Sequence, residues 1–274
     1  MSTRERFVLI APFTALIAVF LVWPALRDFS LTFTNFDPLR PQVLQWIGLE
    51  HYARAVSSAD FRTSMFNLAV FVPCSVTLEL LFGSLIALAL REPFRGRSLV
   101  RASLLAPWLI NPIAAGVMAR FVSSEHVGLL AINLLASGLA LPSLVALEVW
   151  RNTPLVTFLI LPGLALIPAS RWDLARLEGL KITQVFRHLI VPGLRPLLLA
   201  VSLLMLANAV SGFESVLMFS GGGPGSQTML PGLLAYLAAY KTFDWGTGSS
   251  LSWLIWFAVL LIGFAYVRSV RDRR

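Results

Sequence analysis

Charged residues are scarce in this chain of 274 residues. Only 13% of the residues are Asp, Glu, Lys or Arg, whereas 57% are hydrophobic and the mean hydropathy is +0.77. Average domains carry about 25% charged residues, so this composition excludes an ordinary soluble domain and indicates a membrane protein. Cysteine is nearly absent: the single residue, Cys74, lies within an apolar run and excludes an internal disulfide.

Sequence signatures of catalysis are also missing. The chain contains no nucleotide-binding P-loop, no metal-ligand spacing and no Ser/His/Asp constellation. The net charge of +8 would suggest nucleic-acid binding in a soluble protein, but these arginines cluster at the ends of apolar runs, where they act as topology signals. We therefore expect no catalytic residue, no metal site and no nucleic-acid partner.

Uncharged apolar runs long enough to cross a bilayer recur along the chain, since a spanning helix needs about 20 such residues. The spans predicted from these runs cover 7–26, 62–91, 102–119, 196–213 and 245–267, with a further span inside 127–170. The only charge between Arg62 and Arg91 is Glu79. The region 127–170 could hold one span or two, because two uncharged runs flank the segment from Glu148 to Arg151.

Charge counting decides between one span and two in this region. With one span, the chain has six helices, both termini are cytoplasmic, and most basic residues, including those of the polar island 171–196, lie on that side. Two spans would move this island and the Arg-rich C-terminal segment to the outer side, against the positive-inside rule. We therefore predict an all-α membrane protein with six transmembrane helices and cytoplasmic N- and C-termini. The run 127–136 then becomes an outer segment on the membrane surface, ended by Gly138 and Pro142.

The polar island, RWDLARLEGLKITQVFRHLIVPGLRP, is the most informative stretch of the chain. Ser170 lies three residues before Asp173, which predicts a capping box at the start of a short helix. Gly179 permits a sharp reversal, and a second short helix is predicted over 182–189 and closed by Pro192. A two-helix hook with apolar side chains and a charged rim is typical of a protein-docking element. An amphipathic connector on the membrane surface is the alternative interpretation.

The spacing within the island resembles the EAA loop of permease subunits in binding-protein-dependent ABC importers. The acidic-Leu-Ala triplet 173–175 is followed by Gly179 and then by Leu189, Val191 and Pro192. Further segments are similar to those of carbohydrate-uptake permeases of the maltose-transporter type: WIGLEHYARAVSSADF at 46–61, REPFRGRSLVRASLLAPWLINP at 91–112, EVWRNTP at 148–154 and GGGPG at 221–225. The last of these resembles the first permease subunit of such importers rather than its partner subunit.

The resemblance implies an ABC type I importer permease fold, with a single transmembrane domain over 1–274 and a cytoplasmic coupling loop at 168–196. The residues that it implies for coupling to an ATPase are Asp173, Ala175, Arg176, Glu178, Gly179, Phe186, Arg187 and Pro192. The implied partners are a second permease subunit in a heterodimer, two ATP-binding subunits, an extracytoplasmic solute-binding protein and the lipid bilayer of the bacterial cytoplasmic (inner) membrane. ATP and Mg would bind to the ATPase subunits, whereas this non-catalytic chain would bind no cofactor.

Polar residues inside or at the ends of the apolar runs are candidates for the substrate path. A charge at mid-bilayer costs about 2.5–3.5 kcal/mol and usually faces a cavity or a partner. The candidates are Asn111, Glu148, Arg151, Asn152, Asn208, Ser211, Phe213 and Glu214. In the alternative interpretation, Glu148 and Arg151 form a structural ion pair on one helix face. The resemblance implies import of a sugar, with a di- or oligosaccharide expected; a glycerol phosphodiester, another polar solute or a secondary-transport mechanism are the alternatives.

Overall fold

The structure is a computed structural model, and it describes residues 3–36, 45–124, 128, 133–136 and 138–271. Within these ranges the regular secondary structure is helical apart from one isolated β-bridge between Thr34 and Trp46. In chain order the α-helices are α1 (Thr3–Ile17), α2 (Trp23–Leu31), α3 (Glu50–Ser57), α4 (Ala59–Ala89), α5 (Arg97–Leu109), α6 (Pro112–Val122), α7 (Ala140–Ala165), α8 (Ala169–Leu177), α9 (Ile182–Val185), α10 (Val191–Gly193), α11 (Arg195–Ser211), α12 (Glu214–Phe219), α13 (Pro231–Tyr240) and α14 (Trp245–Arg271). Two π-helical segments, Ala18–Val22 and Phe186–Ile190, join α1 to α2 and α9 to α10.

The number of candidate membrane spans agrees with the sequence prediction. The uninterrupted candidates are Ile10–Leu31, Ala59–Ala89, Ala140–Ala165 and Trp245–Ala265. Two bent helix pairs, α5 with α6 and Ile182–Gly193 with α11, bring the total to six when each pair is counted as one span. The single helix α7 confirms one span within 127–170. The predicted surface segment 127–136 lies mostly outside the described residues, and the cytoplasmic position of the termini stays a prediction.

One predicted span is broken in the structure by a sharp bend, and a second bend lies just before another predicted span. The predicted span 102–119 is broken where α5 and α6 meet at 94°. There Asn111 Oδ1 accepts a hydrogen bond from the Ile113 amide (2.9 Å), and Pro112 begins α6. Because proline disfavours helical backbone in the residue before it but is well suited to a first helical turn, this pair ends one helix and starts the next. The second bend, of 89°, lies at Leu194, where α11 begins.

The described residues up to Arg62, together with 231–264, form one compact unit. Its polar interior includes the buried His51, whose Nε2 lies 2.9 Å from the Thr34 carbonyl oxygen and whose Nδ1 lies 3.3 Å from Thr247 Oγ1. Asp28 accepts a hydrogen bond from the Trp253 indole (2.9 Å). These bonds connect α2 and the loop after it to α14.

The described residues of 63–230, with the end of α14, form the other compact unit, and α7 is the most deeply buried of the four uninterrupted spans. Gly83 of α4 lies against Val156, and Gly163 of α7 lies against Leu197 of α11, so closely that a Cβ at either glycine would collide with its neighbour. Small residues at such positions let helix backbones approach within a membrane. The close approaches fix α7 against α4 and α11 and so position the polar residues of α7. The single permease domain expected over 1–274 stays a prediction.

Candidate functional site

Residues 168–196, which we call the coupling segment, begin with α8. This helix starts at Ala169 after Pro168, so the prediction that Ser170 caps it was wrong: Ser170 already lies in the first turn. The residue before the helix has extended backbone and no side-chain cap, because its proline ring has no acceptor to offer. On the inner face of α8, Trp172 and Ala175 are buried in the core around α7. The helix is thus anchored by two side chains, and its other face is left exposed.

The exposed face of α8 presents leucines beside charges. The exposed fraction is 54% for Leu174 and 85% for Leu177, and Ile182 at the start of the next helix is 58% exposed. Asp173 and Arg176 are also exposed, with a loose ion pair of 4.0 Å between them. An apolar patch with a charged rim is the composition of a protein-docking surface.

The chain reverses at Gly179, as predicted. Its φ is +62°, a left-handed conformation that residues with a Cβ rarely adopt. The Leu180 amide donates to the Ala175 carbonyl (3.0 Å) and the Gly179 amide to the Arg176 carbonyl (3.1 Å), the pattern of a Schellman C-cap. A Cβ at Gly179 would meet nothing within 4 Å, so the requirement for glycine here is one of backbone conformation, not of space.

The second helix of the hook is longer than predicted. It runs continuously from Ile182 to Gly193, and the Lys181 amide donates to Gln184 Oε1 (2.8 Å) at its start. The helix extends beyond the predicted end at 189 but stops at Gly193, one residue after Pro192, so Pro192 lies in its last turn as predicted. Phe186 packs against the buried core around α7, whereas the Arg187 side chain is exposed.

The coupling segment is attached to the loop after α4 through one carboxylate. Glu92 Oε1 accepts hydrogen bonds from Arg176 Nη2 (2.8 Å) and from Arg91 Nη1 (2.9 Å). The Arg91 guanidinium also lies 3.8 Å above the ring of Trp172, at cation–π distance. Between these residues and Gly179 is an open cavity of about 480 Å³. These contacts join α8 to the loop after α4.

A second group, the buried polar cluster, consists of Glu79, Glu148, Arg151, Asn152 and Ser215. The predicted pair is confirmed: Arg151 Nη2 lies 2.9 Å from Glu148 Oε2. The Asn152 amide donates to Glu148 Oε2 (3.1 Å) and to Glu79 Oε1 (2.9 Å), and the Ser215 hydroxyl donates to Glu148 Oε1. The cluster joins α4, α7 and the short helix α12 through residues that are at most 9% exposed.

The cluster contains two acidic residues and one arginine. Within the described part of the chain, Glu79 Oε2 and Arg151 Nε are buried without a hydrogen-bond partner. Sequence reasoning placed Glu79 inside a span but did not join it to Glu148, and it missed Ser215 entirely. Ser215 follows Glu148 by 67 residues, and a single serine beside Glu214 offers no pattern that predicts such a contact.

The remaining substrate-path candidates lie elsewhere in the unit 63–230. Asn111 uses its side chain to cap α6 and is exposed. Around the break between α11 and α12, Ser211 is exposed, whereas Asn208 and Glu214 are half-buried. The Phe213 amide donates to Glu214 Oε2 (3.2 Å) at this break. The structure therefore gathers Glu148, Arg151 and Asn152 into one buried cluster and leaves the residues from Asn208 to Glu214 as a separate, more accessible group.

The coupling segment and the buried polar cluster both lie within the part of the chain that matches a known protein family. Residues 79–271 match the family model described as the binding-protein-dependent transport system inner membrane component. The chain belongs to this family. The match begins at Glu79 and contains the whole coupling segment, so the resemblance seen in the sequence is confirmed. We refer to the chain below as this permease.

Relatives and solved structures agree with the family. The trehalose/maltose transport system permease protein MalF of Thermococcus litoralis is 30% identical, over 100% of this permease and 96% of the relative. The trehalose transport system permease protein SugA of Mycobacterium tuberculosis is 28% identical, over 97% and 88%. A bacterial alginate ABC transporter, solved in complex with an alginate pentasaccharide-bound periplasmic protein, matches with a TM-score of 0.81 at 14% identity, over 98% of this permease and 94% of the solved chain. This permease is thus a multi-pass integral membrane protein with the predicted ABC type I importer permease fold.

Proposed function

We propose that this permease is the membrane-spanning, non-catalytic subunit of an ATP-driven importer for a di- or oligosaccharide. The observation that carries the proposal is the coupling segment, a two-helix hook anchored by Trp172 and Ala175 with exposed leucines on its outer side. The sugar assignment is supported by the relatives named for trehalose and maltose transport. The expected location is the bacterial cytoplasmic (inner) membrane.

The proposed role of the coupling segment is to carry movement from an ATPase to the spans. The exposed residues Leu174, Leu177 and Arg187 would contact the ATPase, together with Asp173, Arg176 and Glu178 on the rim. Buried Ala175 and the packed Phe186 would pass the movement inward, since both contact the core around α7. Gly179 sets the angle between the two helices, and Pro192 lies in the last turn before the bend into α11.

The proposed partners follow from this role. Two ATP-binding subunits would dock on the coupling segments of a permease heterodimer, one segment on each permease subunit. ATP and Mg would bind to those subunits, and this permease would bind no cofactor. An extracytoplasmic solute-binding protein would deliver the sugar; the bound periplasmic protein in the alginate transporter supports this part of the proposal.

For the substrate path we propose the group between Asn208 and Glu214. Ser211 is exposed, and Asn208 and Glu214 are half-buried, so their hydroxyl, amide and carboxylate groups are accessible to a sugar; half-buried Phe213 offers an apolar ring face. We assign the buried polar cluster a structural role, because its members bond to one another and are at most 9% exposed. A glycerol phosphodiester would need an accessible cation in the path, and Arg151 is engaged by Glu148.

The test is to extract tagged permease gently from its native membrane and to identify the co-purifying proteins by mass spectrometry. We expect a P-loop ATPase and a second multi-pass permease. The ATPase activity of this complex, with its binding protein added, is then measured with trehalose, maltose or glycerophosphocholine. Stimulation by a sugar supports the substrate class, and stimulation by glycerophosphocholine alone would replace it. Recovery of the permease alone and monodisperse would contradict the importer and favour a secondary transporter.

A further inference from the structure

Three arginines converge on a cavity that the proposed transport function does not use. The cavity, of about 480 Å³, is lined by Arg91, Arg97, Arg101, Leu161, Pro162 and Ala165. It lies where α4 ends, α5 begins and α7 ends, so it is at the end of three membrane-crossing elements. Its lining is basic on one side and apolar on the other, with no acidic side chain among the lining residues.

Two of these arginines have unused hydrogen-bonding capacity. Arg97 Nη2 donates to the Arg91 carbonyl (3.1 Å), and Arg101 Nη2 lies 3.5 Å from the Leu90 carbonyl. In the described part of the chain, neither guanidinium makes an ion pair, and the Nε of each is buried without a hydrogen-bond partner. A guanidinium has five donors, so both side chains retain N–H groups for an oxyanion. Arg91 differs because Glu92 already neutralises it.

The three arginines around this cavity favour a phosphate group as the bound anion. Three guanidinium groups on one cavity match the several acceptor oxygens of a phosphate, which arginine binds in bidentate fashion. α5 begins at Arg97 itself, so the positive end of its dipole adds to the attraction for an anion. Water would solvate arginines on an open surface. The Nε atoms of Arg97 and Arg101, in contrast, are buried away from water.

The apolar wall favours a lipid as the source of that phosphate. Leu161, Pro162 and Ala165 line the cavity from α7. On α5, Leu99 is 71% exposed and Val100 is 45% exposed, within the first turn after Arg97, which begins the helix. A phosphate bound by the arginines would thus have apolar surface beside it, where acyl chains can lie. Basic pockets between helices at a membrane surface are suited to anionic lipid headgroups.

We propose that Arg91, Arg97 and Arg101 form a binding site for the phosphodiester headgroup of an anionic phospholipid. Free phosphate shares the chemistry of the headgroup, but it would make no use of the apolar wall. Arg91 also stacks on Trp172 of the coupling segment, so a bound lipid contacts a residue that touches α8.

The experiment measures lipid retention by native mass spectrometry on the purified permease with its co-purifying subunits. Delipidated samples are titrated with phosphatidylglycerol, or with phosphatidylcholine of the same acyl chains. Arg97→Gln/Arg101→Gln removes two charges but keeps side-chain donors for the backbone carbonyls. Arg95→Gln removes a charge from the same loop outside the cavity and is the matched control. Size-exclusion chromatography of each sample checks that the variant is folded, and Arg97→Lys/Arg101→Lys, which keeps the charge, is the second variant.

We expect phosphatidylglycerol to bind in preference to phosphatidylcholine. Each arginine near an anionic headgroup contributes roughly a fivefold factor in affinity, so the double Gln variant should bind about 25-fold more weakly. The Arg95→Gln control should bind as tightly as wild type, and the affinity of the Lys variant should lie between those of wild type and the double Gln variant. Equal affinity of wild type and the folded double Gln variant would overturn the site. Displacement of phosphatidylglycerol by millimolar inorganic phosphate would overturn the lipid assignment.

Discussion

The buried polar cluster and the coupling segment place their polar and apolar side chains in opposite ways. In the cluster, Glu148 accepts hydrogen bonds from three side chains, and the polar atoms face one another inside the protein. In the coupling segment, Leu174 and Leu177 face outward, and the charged side chains surround them. The cluster is complete within this permease, whereas the outer face of the segment leaves apolar surface uncovered.

This difference separates stability from assembly. Removing one member of a buried ion pair leaves an uncompensated charge, so changes in the cluster should affect folding first. Changing an exposed side chain has little effect on folding, so changes on the outer face of the segment should affect assembly alone. Each of the following variants tests one side of this separation.

The largest effect on stability is expected for Arg151→Met. It leaves Glu148 and Glu79 buried near each other without a cation, which should cost roughly 3–5 kcal/mol. The measurement is the thermal unfolding midpoint of the detergent-solubilised permease, with the amount inserted in the membrane. Arg151→Met combined with Glu148→Gln removes both charges of the pair and should recover a large part of the loss. An Arg151→Met variant as stable as wild type would show that the pair does not stabilise this fold.

An intermediate effect is expected for Gly179→Val. A left-handed backbone costs a residue with a Cβ about 1–2 kcal/mol, and more when that residue is β-branched, so the hook should lose its angle while α7 and its core stay intact. We expect normal membrane insertion but loss of sugar uptake and of ATPase attachment. Gly179→Asn is the control, because asparagine tolerates this conformation and the site has space for its side chain. Unchanged uptake by the Gly179→Val permease would remove the coupling role of the reversal.

A small effect is expected for the ion pair between Glu92 and Arg176. Both side chains are more than half exposed, so solvent screens the pair and its contribution to stability should be below about 1 kcal/mol. A double-mutant cycle with Glu92→Gln and Arg176→Gln, read out by thermal unfolding, measures this coupling energy. A coupling energy of several kcal/mol would mean that the segment is held by this contact more than by Trp172 and Ala175.

Local sequence patterns predicted a large part of the coupling segment and of the buried polar cluster. The reversal at Gly179 and the pair of Glu148 with Arg151 depend on neighbours in sequence, and glycine conformation and helical periodicity are enough to predict them. The contacts of Asn152 with Glu79 and of Ser215 with Glu148 span 73 and 67 residues, and only the packing of α4, α7 and α12 creates them. The second helix of the hook was predicted to end at 189 but continues to Gly193, and no local pattern predicted the bend that follows at Leu194.

The most direct test of the proposed docking surface is the double variant Leu174→Ser/Leu177→Ser. The control is Leu139→Ser, an exposed leucine at the opposite end of α7 from the coupling segment. We predict that both variants unfold at the wild-type temperature, because the changed side chains are exposed. Only the double variant should lose the co-purifying P-loop ATPase, as measured by quantitative mass spectrometry. An ATPase recovered in wild-type amount with the double variant would contradict docking on this face.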